Sequence, residues 1–279
     1  MPWPDVIEAL IEKLKGHPAV AIKNLVTGEY FSYNADEIYQ AASVIKLPLL
    51  VGLFKKVAEG RISLEQRFPL VQAEKDLVGT AGSGILQDLD NGLELTVNDL
   101  AVLAITVSDN IATNMLIDLV GMDYVNEAME ELGLTSIRMI TKIGNYAAMA
   151  QGRDNKINAR EMVRLLELLY HGAVVNPSVS EKILRILKRQ KFSHIAALLP
   201  LGTEVASKSG SLKGIRHDVG LVWLSQGAFA LAVLTKDLQE PRAGATFISK
   251  VAWKTFQHYN RRQKKGLPVS GEEKRLSSA

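Results

Sequence analysis

The chain has 279 residues, 47% of them hydrophobic and 23% charged, which is the balance of a soluble globular protein long enough for one large domain or two lobes. A net charge of +3 gives no argument for a nucleic-acid partner, and the one basic cluster, Arg261-Arg262-Gln263-Lys264-Lys265, reads as a solvated tail. The lack of cysteine removes disulfides, thiol catalysis and thiolate metal sites, and no apolar run reaches the roughly 18 residues of a membrane span.

The start, Met1-Pro2-Trp3-Pro4-Asp5, has no basic stretch ahead of an apolar block and so is no signal peptide; a removed leader and a cytoplasmic location both stay open. Residues 5–15 carry Val6, Ile7, Leu10, Ile11 and Leu14 at helical spacing. Residues 19–25 and 29–33 are β-like and joined by Val26-Thr27-Gly28, a hairpin pattern. Next comes Tyr39-Gln40-Ala41-Ala42-Ser43-Val44-Ile45-Lys46, a small-residue turn feeding an apolar helix that runs to about Glu59. Pro48 removes one hydrogen bond of that helix and is expected to kink it.

Ser43 and Lys46, three residues apart, share a helix face. A serine hydroxyl is a weak nucleophile until a neighbour takes its proton, and a lysine does so when burial or a nearby cation lowers its pKa. By themselves the two residues fit a helix N-cap and a solvated lysine better than a nucleophile and its base.

Residues 70–95 read as loop, and their run Gly79-Thr80-Ala81-Gly82-Ser83-Gly84 lacks the Lys-Ser/Thr of a phosphate loop. Helices are predicted over residues 97–106, 110–119 and 123–131. An Asn158/Glu161 capping pair leads into residues 162–170, and a further helix covers 177–188. Within Val107-Ser108-Asp109-Asn110, Ser108 can relay a proton and the Asn110 amide can both donate and accept; the triplet also fits a helix cap. From Glu204 the pattern changes to three antiparallel strands, 205–211, 218–224 and 229–234, then a helix over 243–259. On the first of these strands, Lys208 and Gly210 face one side and Ser209 the other. The glycine there lets a substrate backbone approach, and a strand edge at a cleft can pair with a peptide-like substrate.

This order implies an α/β (α+β) fold with a five-stranded antiparallel sheet drawn from both chain ends and covered by the terminal helices. Residues 1–41 and 204–262 would form the sheet lobe, 42–203 a helical lobe, and 263–279 a disordered tail. The cleft between the lobes would hold Ser43 on one wall and strand 205–211 on the other.

Ser-x-x-Lys, Ser-Asp-Asn and Lys-Ser-Gly follow in that order, 65 and then 100 residues apart, and this resembles the class A β-lactamase branch of the penicillin-recognising serine enzymes. Gly82-Ser83-Gly84-Ile85-Leu86 and Leu95-Thr96-Val97-Asn98-Asp99-Leu100 extend the likeness, which runs from about Pro18 to Tyr259. The resemblance implies the two-lobed fold and a serine hydrolase. Ser43 would be the acylated nucleophile, Lys46 its base or relay, and Ser108 the donor to the leaving nitrogen. Lys208 would set the field around Ser108, Asn110 would hold the substrate side-chain amide, and Ser209 its carboxylate. Gly210 belongs to the same motif, the N–H groups of Ser43 and Ser211 would form the oxyanion hole, and Arg216 is the candidate carboxylate-binding arginine. No cofactor and no metal is implied. The partner is a small-molecule β-lactam or peptidoglycan-type peptide, the chain a monomer, and the location extracytoplasmic despite the missing leader.

The likeness breaks at one place. Class A enzymes carry Glu-x-x-Leu-Asn on a loop whose Glu activates the deacylating water. The corresponding stretch here, residues 139–154, is two or three residues shorter and contains no Glu. Asn145 and Tyr146 are the poor substitutes, and Lys142 and Asp154 could pin the loop's ends. The expectation is acylation at Ser43 by β-lactams or D-Ala-D-Ala-like amides, with slow loss of the β-lactam acyl group. A working β-lactamase and a β-lactam-sensing module that is acylated once are the alternatives.

Overall fold

The computed structural model of the chain describes residues 2–78, 82–264 and 273–276. Helix α1 (Trp3–Glu12) leads into β1 (His17–Asn24), β2 (Tyr30–Tyr33) and a short β3 (Tyr39–Gln40). A 3₁₀ turn, Ala42–Ile45, opens directly into α2 (Lys46–Ala58). The helical lobe continues with β4 (Arg67–Pro69), α3 (Gln72–Val78), β5 (Glu94–Thr96), α4 (Val97–Thr106), α5 (Asn110–Val120) and α6 (Met122–Glu131). After α7 (Tyr146–Ala150) and β6 (Lys156–Ile157) come α8 (Ala159–Tyr170) and α9 (Pro177–Leu187). The chain closes with β7 (Val205–Leu212), β8 (Ile215–Trp223), β9 (Ala228–Lys236), α10 (Pro241–Lys264) and β10 (Glu273–Leu276).

Strands β2-β1-β9-β8-β7 form a five-stranded antiparallel sheet drawn from both chain ends, which gives the two-lobed α/β architecture. Alternation along the strands builds two cores. Val20 and Ile22 of β1 and Phe229, Leu231 and Val233 of β9 pack under α1 and α10, against Trp3, Ile7 and Ile248. Their neighbours Ala19, Ala21, Ala230 and Ala232 face the other way, where small side chains let the helical lobe lie close. That second face is covered in part by α8, so the sheet is enclosed by more than the terminal helices.

Several local expectations change. Residues 70–95 contain α3 and one strand of the β4–β5 pair rather than loop alone; a seven-residue helix is too short to hold without tertiary support, and α3 has it from α5. Gly79, Thr80 and Ala81 of the glycine-dense run lie outside the described residues. Pro48 falls in the first turn of α2, just after the change from 3₁₀ to α pitch, where a missing N–H costs little. Helix α10 extends to Lys264, and Glu273–Leu276 adds a sixth strand, parallel to β2, where the sequence showed no strand.

Candidate active site

Ser43 lies in the 3₁₀ turn, not in an α-helix, and lines a cleft of about 440 Å³ between the lobes. The residue before it, Ala42, has φ +44°, and Ser108 on the facing wall has φ +56°. Left-handed backbone is costly for residues with a Cβ, and here two such positions flank one cleft.

Below Ser43, Lys46 is 1% exposed, a state an ammonium tolerates only with acceptors around it. Its Nζ has three: Ser108 O at 2.7 Å, Asn110 Oδ1 at 2.8 Å and Ser108 Oγ at 3.1 Å. From the other side, the fully buried Lys208 places its Nζ 3.1 Å from the same Ser108 Oγ and 2.6 Å from Ser209 O. Burial, and then the charge of Lys208, hold the Lys46 amine well below the ordinary lysine range, with Asp109 offsetting part of this. Burial also brings Lys208 down to about 7, against an opposing pull from Asp218. The pair expected at the start of the helix is therefore differently connected. Among the described residues no side-chain hydrogen bond joins Lys46 to Ser43, whose only link is Lys46 N–H to Ser43 O, and the observed side-chain path runs Lys46–Ser108–Lys208.

Asp109 is a helix cap, and more. Its Oδ1 accepts from Ala112 N at 3.0 Å to start α5, while Oδ2 accepts from Ile85 N and Leu86 N at 2.7 and 2.9 Å. One buried carboxylate thus fixes both the Ser108–Asn110 turn and the Gly84–Ile85 wall of the cleft. Asn110 offers its carbonyl oxygen to Lys46, which leaves its amide N–H groups as the part that can meet a substrate.

On the opposite wall Ser209, Gly210, Ser211 and Arg216 all border the cleft, so Ser209 and Gly210 share it despite the strand alternation. Gly210 is needed for the protein's own packing: a Cβ there would stand 3.1 Å from Val44 Cγ2 and 3.2 Å from Ser43 N. It lets β7 meet the Ser43 turn, whereas the sequence suggested room for substrate. Arg216 faces Ser211 across the β7–β8 pair, and its Nη1 donates to Ile215 O at 2.9 Å and Leu212 O at 3.3 Å.

Three supports were not legible in the sequence. Asp218, in register with Ser209, is fully buried and pushed up to about 6 by that burial. Its Oδ2 takes His194 N, Ile195 N and Ser193 Oγ, which anchors the far rim of the cleft. His217 is buried, donates from Nε2 to Gln40 O (2.8 Å) and accepts Thr235 N at Nδ1; burial lowers it to about 4, so it is a neutral tie between β8 and β3. Asn155 Oδ1 accepts from Ile140 N and Thr141 N, its Nδ2 donates to Thr141 O, and Asn155 O accepts from Ala41 N, two residues before Ser43. No spacing signal marks a carboxylate or amide whose partners are backbone groups of distant segments.

The short loop is also held by Asn114, which brackets Ile143 through both amide atoms. Lys142 pairs with Asp118 at 2.6 Å and Asp154 accepts from Gln40 at 2.5 Å, so these two residues anchor the loop to the body rather than to each other.

The sequence profile of the β-lactamase enzyme family matches residues 4–259. The chain belongs to that family. The crystal structure of a β-lactamase from Sphaerobacter thermophilus is 32% identical, superposes with a TM-score of 0.86, and is covered over 98% of its length by 92% of this chain. PBP-A, solved also as a point variant in an acyl-enzyme complex with penicillin G, is 27% identical with a TM-score of 0.82, over 93% of this chain and 96% of that one. The β-lactamase regulatory protein BlaB of Streptomyces cacaoi is 24% identical over 262 residues, 77% of this chain and 83% of that protein. Membership in this family, which joins β-lactamases and penicillin-binding proteins, brings a serine-hydrolase type of mechanism.

Proposed function

We propose that the protein is a serine acyl-transfer hydrolase acylated at Ser43 by β-lactams or D-Ala-D-Ala-like amides, and that it loses a β-lactam acyl group slowly. The observation that carries this reading is the buried Lys46–Ser108–Lys208 chain beside Ser43 at the floor of the cleft. With Lys46 neutral, its two N–H groups fill Ser108 O and Asn110 Oδ1, and its lone pair is left to take a proton. Substrate in the cleft brings the Ser43 hydroxyl into that path, since catalytic hydrogen bonds tighten on binding. Ser43 Oγ bonds to the carbonyl carbon as its proton passes to Lys46. The C–N bond then breaks as Ser108 gives its proton to the nitrogen and is resupplied from Lys46. The N–H groups of Ser43 and Ser211 hold the oxyanion, Lys208 keeps the field around Ser108 positive, and Ser209 with Arg216 receives the substrate carboxylate.

Slow deacylation follows from the loop. Residues 139–153 hold no carboxylate, and no residue of 139–154 is among those lining the cleft. Asn145 uses its side-chain oxygen to cap α7, and Tyr146 is 59% exposed, so neither is placed to deprotonate a water. General-base assistance is worth about 10²–10⁴-fold, and its absence leaves the ester in place. The test is intact-mass spectrometry after mixing with benzylpenicillin. One equivalent of adduct on Ser43, absent in Ser43→Ala and decaying over minutes or longer, is expected. Turnover faster than about ten per second with no adduct would overturn it. The likeness to BlaB favours a second reading, a sensor; in that case the adduct persists and no D-Ala-D-Ala-type peptide or thioester is turned over.

A further inference from the structure

His194 occupies the cleft without any task in the chemistry above. It sits on the segment between α9 and β7, borders the same space as Ser209, Ser211 and Arg216, and is half-buried. Its backbone is fixed: the N–H donates to Asp218 Oδ2 at 2.7 Å, Ile195 N to the same oxygen at 3.0 Å, and Ser193 Oγ at 3.2 Å. Ser207 Oγ braces Ser193 from below at 2.9 Å. The ring is the opposite case. Among the described residues nothing hydrogen-bonds or stacks on the imidazole, although a half-buried ring with two polar nitrogens ordinarily finds a partner. An unpartnered imidazole on a fixed backbone, beside an arginine, is a place for an anion to sit.

We infer that His194 is a specificity-determining residue, the second cation of the substrate-carboxylate subsite, which joins Arg216 in gripping the carboxylate by taking up a proton as substrate binds. This rests on the proposal that Ser43 is acylated by carboxylate-bearing β-lactams or peptides. The charged group acting on the ring is Arg216 of β8; Asp218 of the same strand meets the His194 backbone N–H, and the residues lining the cleft include no other charged side chain. In the empty cleft, burial and the Arg216 charge keep His194 below the usual imidazole range, so it is neutral near pH 7. A bound carboxylate cancels the Arg216 repulsion and adds an attraction of its own, and the imidazole then binds its proton more tightly. Arg216 stays charged throughout, so it supplies a grip that does not vary with pH. His194 supplies one that strengthens as pH falls.

The test compares the acylation rate of Ser43 by a penicillin with that by the methyl ester of the same penicillin, from pH 8 to pH 5. Protonation of Lys46 slows both and cancels in the ratio; the carboxylate stays ionised over this range, since carboxyl groups titrate near 4. In the native chain the acid-to-ester ratio should rise about five-fold as pH falls, the size of a partly exposed ion pair. His194→Ala should lose that rise. His194→Arg should hold the ratio high across the range, with no more rise than His194→Ala shows, which a merely structural role for His194 would not produce. Melting temperatures of both variants confirm that they are folded. A part of the rise retained in His194→Ala belongs to Lys208, whose proton also moves in this range. If the ratio in His194→Ala climbs as steeply as in the native chain, or that in His194→Arg climbs more steeply than in His194→Ala, the inference is overturned. If neither compound acylates the native Ser43, the parent reading has failed instead.

Discussion

Replacing Lys208 by methionine tests the electrostatic core of the site. Both lysine nitrogens lie 3.1 Å from Ser108 Oγ, so they are at most about 6 Å apart. Two unit charges at that distance repel by about 3 kcal/mol at an effective dielectric near 20, or about two pH units. Lys208 itself titrates at about 7, so near neutrality it exerts only part of that repulsion. Its removal should raise the pKa of Lys46 by about one to two units. The sign is fixed: a neighbouring cation disfavours a second one, and removing it lets Lys46 keep its proton to higher pH. Acylation requires neutral Lys46, so the rate-against-pH curve should move toward alkaline pH. On the acid limb of that curve the rate should fall about 10- to 100-fold, and on the alkaline plateau by less. The assay is the labelling rate of Ser43 by a fluorescent penicillin between pH 5 and pH 10, for the native chain and Lys208→Met. A midpoint that stays in place or moves toward acid would refute the coupling and, with it, Lys46 as the base.

Two further substitutions probe how the body of the protein positions this chemistry. Gly210→Ala pushes a Cβ to 3.1–3.2 Å from Val44, Ala42 and Ser43, which should cost about 1–3 kcal/mol by urea denaturation and slow Ser43 labelling about ten-fold or more. Asn155→Ala removes three hydrogen bonds to Ile140 and Thr141; a loss of about 2–4 kcal/mol is expected, with new protease cleavage confined to residues 139–153. An unchanged cleavage pattern would show that Asn114 and the Lys142–Asp118 pair hold that loop unaided.

What the sequence determined by itself was whatever local chemistry or periodicity writes into neighbouring positions. The β1–β2 hairpin around Val26-Thr27-Gly28, the α4 start at Thr96 with Asp99, and the α8 start at Asn158 are all set by residues within a few positions of each other, and each is present. Ser43, Lys46, Ser108 and Lys208 were legible because the order and spacing of three short motifs resemble one family. Tertiary structure alone decided how those residues connect. Lys46 bonds Ser108 and Asn110, 62 and 64 residues away, because burial makes an amine seek every acceptor within reach, and the acceptors come from the turn between α4 and α5 and the first residue of α5. In the same way Gly210 reads as a gap for substrate until β7 is seen against the Ser43 turn. Asp218, Asn155 and His194 carry no motif, since the groups they hold or face are backbone atoms and cleft walls of other segments. Their meaning arises only when the sheet places β8 beside β7 and brings the rim segment over Asp218, for a buried polar group is defined by its partners and those partners are chosen by the fold.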